Sequence, residues 1–268
     1  MEPEFSPAVA ALMKVGRPEN PDWRKYSALG ITAEHIPEIR RILLSPEYDL
    51  LPPELPEVYA KIHAWRALAE LGAPEVVPLL LERFDETTTD EDFDDWLTDD
   101  FSRVAARIGP MALDPLIEYL NDPSKRGDNR MSVAHAIAAV GRDHPDARPR
   151  ALDVLVSCLQ KWSENPVDLN TGLVSGLMDL RAQEAMPLIR EAMEDGAVDE
   201  FFVGSVADVE YELGLRDRPP PPRRSNLPDP IDLARPSSVD LRQKRNAKDR
   251  ARARRKQAKA AKRRNRSK

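Results

Sequence analysis

The chain has one cysteine, Cys158, in 268 residues, so no intrachain disulfide can form. That fits a reducing compartment, and a cytoplasmic location is expected. Long apolar runs are also missing. No stretch reaches the roughly 18 residues that a spanning helix needs, so membrane insertion is not expected. The opening MEPEFSPAVAALMKVG has no basic run before its short apolar stretch, which argues against a secretory signal. GxSxG, P-loop and GxGxxG motifs are absent. None of His35, His63, His135 and His144 has HExxH or CxxC-type spacing. No catalytic residue, cofactor or metal site is therefore assigned, and the expectation is a protein that is not an enzyme.

Charge is where the sequence speaks most clearly. Residues 1–215 carry 20 basic and 41 acidic side chains, a net of −21. Residues 216–268 carry 20 basic and 5 acidic, a net of +15, and the two give the whole-chain −6. The last 28 residues, LRQKRNAKDRARARRKQAKAAKRRNRSK, hold fifteen bases and one acid, Asp249. An acidic body thus carries a basic arm, which points to a polyanionic partner. The residues expected to contact nucleic acid are Arg242, Lys244, Arg245, Lys248, Arg250, Arg252, Arg254, Arg255, Lys256, Lys259, Lys262, Arg263, Arg264, Arg266 and Lys268. In a helix, Lys244, Lys248, Arg252 and Lys256 would repel at four-residue steps, so the arm is expected to be disordered alone. It contains no aromatic residue for base stacking, so little sequence preference is expected. RNA or the ribosome is the expected partner. The alternative is an arm that folds back and masks the acidic body.

Between body and arm, residues 216–240 read as a linker because Pro219 to Pro222 favour an extended chain. The body reads as helical throughout, with apolar residues at three- and four-residue steps. Ser6-Pro7 should open a short helix ending at Gly16, and another should cover 33–44. Then four helix pairs follow. Their stripes include Val58, Ile62, Trp65 and Leu68; Val77, Leu80, Leu81 and Phe84; Phe93, Leu97, Phe101, Val104 and Ile108; and Leu113, Leu116, Ile117 and Leu120. The later stripes are Val133, Ile137 and Val140, then Leu152, Leu155, Val156 and Leu159, with the fourth pair over 167–180 and 183–193. One last helix is expected over 199–213, with Phe202, Val206, Val209 and Leu213 inward. The second helix of each pair has an early proline: Pro78, Pro115, Pro149 and Pro187, spaced 37, 34 and 38 residues apart. A helix pair recurring at that period is the signature of an α-solenoid.

The segments LAELGAPEVVPLLLERF, ARIGPMALDPLIEYL and LMDLRAQEAMPLIREAM carry a further resemblance. Each joins an Ala/Leu-rich helix through a short turn to a helix of the form PLLxxL. Residues 57–213 resemble HEAT repeats on this ground. The third unit has two extra residues between Gly141 and Pro149, and the fourth has Arg181 at the turn-glycine position. The resemblance implies an all-α, right-handed α-solenoid of about four pairs. Residues 1–56 would be the N-terminal cap, 57–215 the solenoid, 216–240 the linker and 241–268 the tail. It also implies a scaffold that binds an unidentified protein, here as a monomer. A few relatives of that fold are enzymes, bilin lyases and an alkylpurine DNA glycosylase among them, so a lyase or base-modifying activity in the groove is the rival. A body at −21 argues against a phosphate-holding groove.

Residues 85–100, DETTTDEDFDDWLTDD, hold nine acids and no base. Asp95 and Phe101 stand where a calcium loop needs Gly and Glu, so calcium is not assigned. Capping by Thr89 or Asp90 of a helix that starts near Phe93 accounts for the acids better, and docking of the tail is a further use. His63 is expected beside a buried stripe as a satisfied structural histidine, and Cys158 as a small core residue.

Overall fold

Pro7 sits where a first helical turn has spare N–H groups, and Ser6 Oγ accepts from Val9 N, so the chain enters its first helix as its sequence dictates. The computed structural model describes residues 5–18, 23–86 and 92–219, with the backbone alone at 92–95. All of these belong to one unit, Met1–Pro220. The described residues are helical and contain no strand. After α1 (Pro7–Met13) come α2 (Ile36–Leu44), α3 (Ala60–Glu70), α4 (Val76–Glu86), α5 (Asp92–Ile108) and α6 (Leu113–Asn121). The chain continues through α7 (Gly127–Asp143), α8 (Arg148–Leu159), α9 (Val167–Asp179), α10 (Met186–Glu194), α11 (Glu200–Val203) and α12 (Val206–Glu212).

Packing follows the pairs. The first helices stack in order, α3 on α5, α5 on α7 and α7 on α9. The second helices α4, α6 and α8 do the same, while α1 and α2 both lie against α3. The stripes face one continuous core that includes Trp65, Leu80, Phe101, Leu116, Ile137, Leu155 and Leu177. Cys158 is buried in it. Burial disfavours the thiolate and raises its pKa, so it is an inert small side chain. The four prolines all fall within the first turn of α4, α6, α8 and α10.

The turns explain the repeat at the level of the backbone. Gly72 and Gly109 take φ of 68° and 72°, and Arg181 takes 53° at the matching place. Arg181 is the non-glycine with positive φ among the described residues, and its Nη1 donates to Glu212 O at 2.9 Å. In the third unit α7 instead runs past Gly141 to Asp143, which uses the two extra residues.

Two expectations fail. The last helix is broken: Gly204 at φ 86° separates α11 from α12, and a Cβ there would lie 2.6 Å from Asp208 Cβ. Ser205 and Asp208 then form a capping box that starts α12 afresh. Phe202 accordingly lies outside the core at 74 % exposure, beside the still more exposed Phe201. Phe93, Thr89, Asp90 and their proposed capping role lie outside the described side chains.

Candidate functional site

The first helices carry the polar groups that the core cannot use. Around α5, α7 and α9 they line a cavity of about 540 Å3. Arg103, Arg107 and Arg142 face it together with Asp99, Asp143 and Asp179. The helical step explains the set: residues four apart, such as Asp99 and Arg103, share one face. Arg142 Nε donates to Asp143 Oδ1 at 2.8 Å. His135 lines the same cavity, and its Nε2 is buried with no hydrogen-bond partner among the described residues. Burial lowers its pKa and keeps the ring neutral.

Toward the N-terminus the walls become aromatic and basic. A second cavity of about 290 Å3 is lined by Val15, Arg17, Trp23, Arg24, Tyr26, His63 and Arg66. His63 is held as a structural histidine, as its place beside the Ile62–Trp65 stripe suggests. Its Nε2 donates to Gly16 O at 2.7 Å, which leaves Nδ1 to accept from Tyr26 Oη at 2.8 Å. Burial pushes its pKa down to about 4, so the ring is neutral near pH 7. Tyr26 in turn has its pKa raised by burial and keeps its proton.

Beneath the second cavity lies a buried charge cluster. Arg66 donates through Nε to Asp100 Oδ2 at 2.6 Å and through Nη2 to Oδ1 at 2.9 Å. Trp65 Nε1 adds a third donor to Asp100 at 2.8 Å. Both charged residues are 1–2 % exposed. Asp49 similarly receives Lys61 Nζ at 2.5 Å and Arg83 Nη2 at 2.8 Å.

The sequence missed this arrangement. Asp100 was one acid in an acidic run, and nothing in that run sets it apart. The signal was positional: Asp100 immediately precedes the Phe101, Val104 and Ile108 stripe, and Arg66 follows the stripe residue Trp65. Polar residues that adjoin an apolar stripe sit at the margin of the core, where pairing is required. The fifteen basic residues assigned to nucleic acid, Arg242 to Lys268, all lie outside the described residues. So do residues 87–91 of the acidic loop. Of the described acids there, Asp85 pairs with Lys125 at 2.6 Å and accepts from Tyr119 Oη at 2.8 Å. Among the described residues no cluster of His, Cys, Asp or Glu could hold a metal ion, and no helix is long and apolar enough to cross a membrane. No protein-family model, curated protein or solved structure matches the chain.

Proposed function

We propose that the body is a HEAT-like α-solenoid that binds a protein, and that its basic arm anchors the assembly to nucleic acid, RNA or the ribosome foremost. The solenoid reading draws on the ordered stacking of first and second helices and on the shared left-handed turn at Gly72, Gly109 and Arg181. The cavity on α5, α7 and α9 suits a partner of mixed charge because it offers arginines and aspartates together rather than a deep apolar pocket. The observation that carries the nucleic-acid half is the division of charge, −21 over residues 1–215 against +15 over 216–268. Such an arm holds phosphates by releasing their counterions, without reading bases.

The test is RNA and DNA binding by the full chain and by residues 1–240, titrated across salt. The full chain should bind, and the shortened one should not. Affinity should fall by roughly 10³ to 10⁵ between about 50 and 200 mM salt if the arm makes ~6–10 phosphate contacts. Equal binding by the two chains refutes an anchoring arm. Failure of both leaves the arm as a mask on the acidic body, in which case the shortened chain should bind basic peptides more tightly than the full one.

A second reading, an enzyme acting within the larger cavity, draws on the neutral and unpartnered His135. It requires His135→Gln to abolish a turnover that the folded protein otherwise shows.

A further inference from the structure

The smaller cavity has a chemistry that the proposed scaffold role does not use. Among the described residues its charged lining is Arg17, Arg24 and Arg66, with no carboxylate. Arg17 and Arg24 are exposed, and neither has an ion pair among the described residues. Arg66 is committed to Asp100, but its guanidinium also lies 5.1 Å from the centre of the Trp23 ring. Two more guanidinium groups meet the same ring, Arg103 at 5.3 Å and Arg107 at 4.7 Å. Three guanidinium groups thus meet one indole, and Arg17 and Arg24 line the same cavity. Of the nearby carboxylates, Asp100 is taken by Arg66. Glu70 is already bound by the backbone N–H groups of Tyr26 and Ser27, at 2.8 and 2.9 Å. The described charged lining of the cavity is thus wholly basic, within a body at −21.

Three features point from that charge to a ligand. Guanidinium groups repel when they converge, and a bound oxyanion removes the repulsion while accepting their forked N–H groups. The Trp23 Nε1 donor is buried and has no partner among the described residues, which is costly unless an acceptor arrives. His63 is neutral and tied up on both nitrogens, so it neither adds charge nor competes for the ligand. We propose that the cavity lined by Arg17, Trp23, Arg24 and Arg66 is a binding site for a small, multiply charged oxyanion, a phosphate or polycarboxylate. At about 290 Å3 it is large enough for two linked anionic groups and too small for a drug-sized ligand. The site does not depend on the basic arm or on nucleic acid.

The test uses the full chain at constant ionic strength, so that the arm is screened equally throughout. Pyrophosphate and citrate are titrated separately while the indole N–H resonance of Trp23 is followed by NMR. That resonance is the one missing from the spectrum of Trp23→Phe. It should move in a saturable way, while the Trp162 resonance should not. Arg17→Gln combined with Arg24→Gln should weaken the binding at least tenfold with an unchanged melting midpoint, because both side chains are exposed. Lys14→Gln, a base outside the cavity, should change nothing. Tighter binding of pyrophosphate assigns a phosphate ligand, and tighter binding of citrate a polycarboxylate. No saturable movement with either anion, or equal binding by the double variant, overturns the proposal. Neither result bears on whether the arm binds RNA.

Discussion

The interface between α3 and α5 and the interface between α7 and α9 solve one problem in opposite ways. Both join neighbouring first helices. Between α3 and α5 the contact includes a buried ion pair, Arg66 with Asp100, with the Trp65 indole N–H as a third donor. Between α7 and α9 the backbones approach closely over small residues. A Cβ on Gly172 would come within 2.5 Å of Met131 Cγ and 2.9 Å of Met131 Cα, and one on Gly176 within 3.2 Å of Ala138 Cβ. The first interface depends on charge compensation and the second on volume. Successive helix pairs can therefore keep one packing order while relying on unrelated physical terms.

The sharpest way to break the comparison is to remove one charge. Asp100→Ala leaves Arg66 buried without its counter-ion. The expected loss is about 3–5 kcal/mol of folding stability, because the penalty is an uncompensated charge and not merely a lost contact. Urea denaturation would measure it. A loss below about 1 kcal/mol is the size of an exposed pair and would show that water reaches Arg66.

Acid should weaken the same end of the molecule. The folded pKa of His63 is about 4 against an ordinary 6.5. Above pH 6.5 the ring is neutral in both folded and unfolded chains, and its contribution to stability is complete. Between 6.5 and 4 the unfolded chain takes up a proton that the folded chain refuses. Stability therefore falls as pH falls, by up to about 3 kcal/mol from this group at 1.36 kcal/mol per unit, and levels off below pH 4. His135, also depressed by burial, acts in the same direction. His63→Gln retains a donor and an acceptor but does not titrate. Its denaturation midpoint should fall less steeply from pH 7 to pH 4, and an unchanged slope would count against His63 as the cause.

What the sequence made legible divides along the same line. Period and punctuation showed the helices, because an apolar stripe and an early proline act within one element. Ser6-Pro7, Pro78, Pro115, Pro149 and Pro187 all stand within or just before a first helical turn. Even Arg181 was visible as the odd residue at a glycine place. Gly204 was harder, because Val203 and Val206 continue the apolar spacing across the break, and only the capping box after it reveals a new start. Pairing between elements was not legible. Asp100 and Arg66 are 34 residues apart, and no local pattern says which of many acids meets which base. Net charge misled for the same reason: −21 over the body says nothing about the three guanidinium groups that meet the Trp23 ring.

Glycine substitutions give the smallest effects and the finest test of the α7–α9 interface. Gly172→Ala and Gly72→Ala add the same methyl group in different circumstances. Gly72 has φ 68° and no heavy atom within 4 Å of a would-be Cβ, so alanine meets backbone strain without a clash. The expected cost there is about 1 kcal/mol. Gly172 lies inside α9 with ordinary helical φ, where alanine should gain up to about 1 kcal/mol from propensity alone. The clash with Met131 works against that gain, and overpacking typically costs about 1–3 kcal/mol. Gly172→Ala should therefore be net destabilising by at most about 2 kcal/mol. Adding Met131→Ala removes the Cγ contact but leaves the Met131 Cα at 2.9 Å, so any rescue should be partial. Full rescue would mean that the side chain alone sets the helix spacing, whereas no rescue would assign the limit to the two backbones.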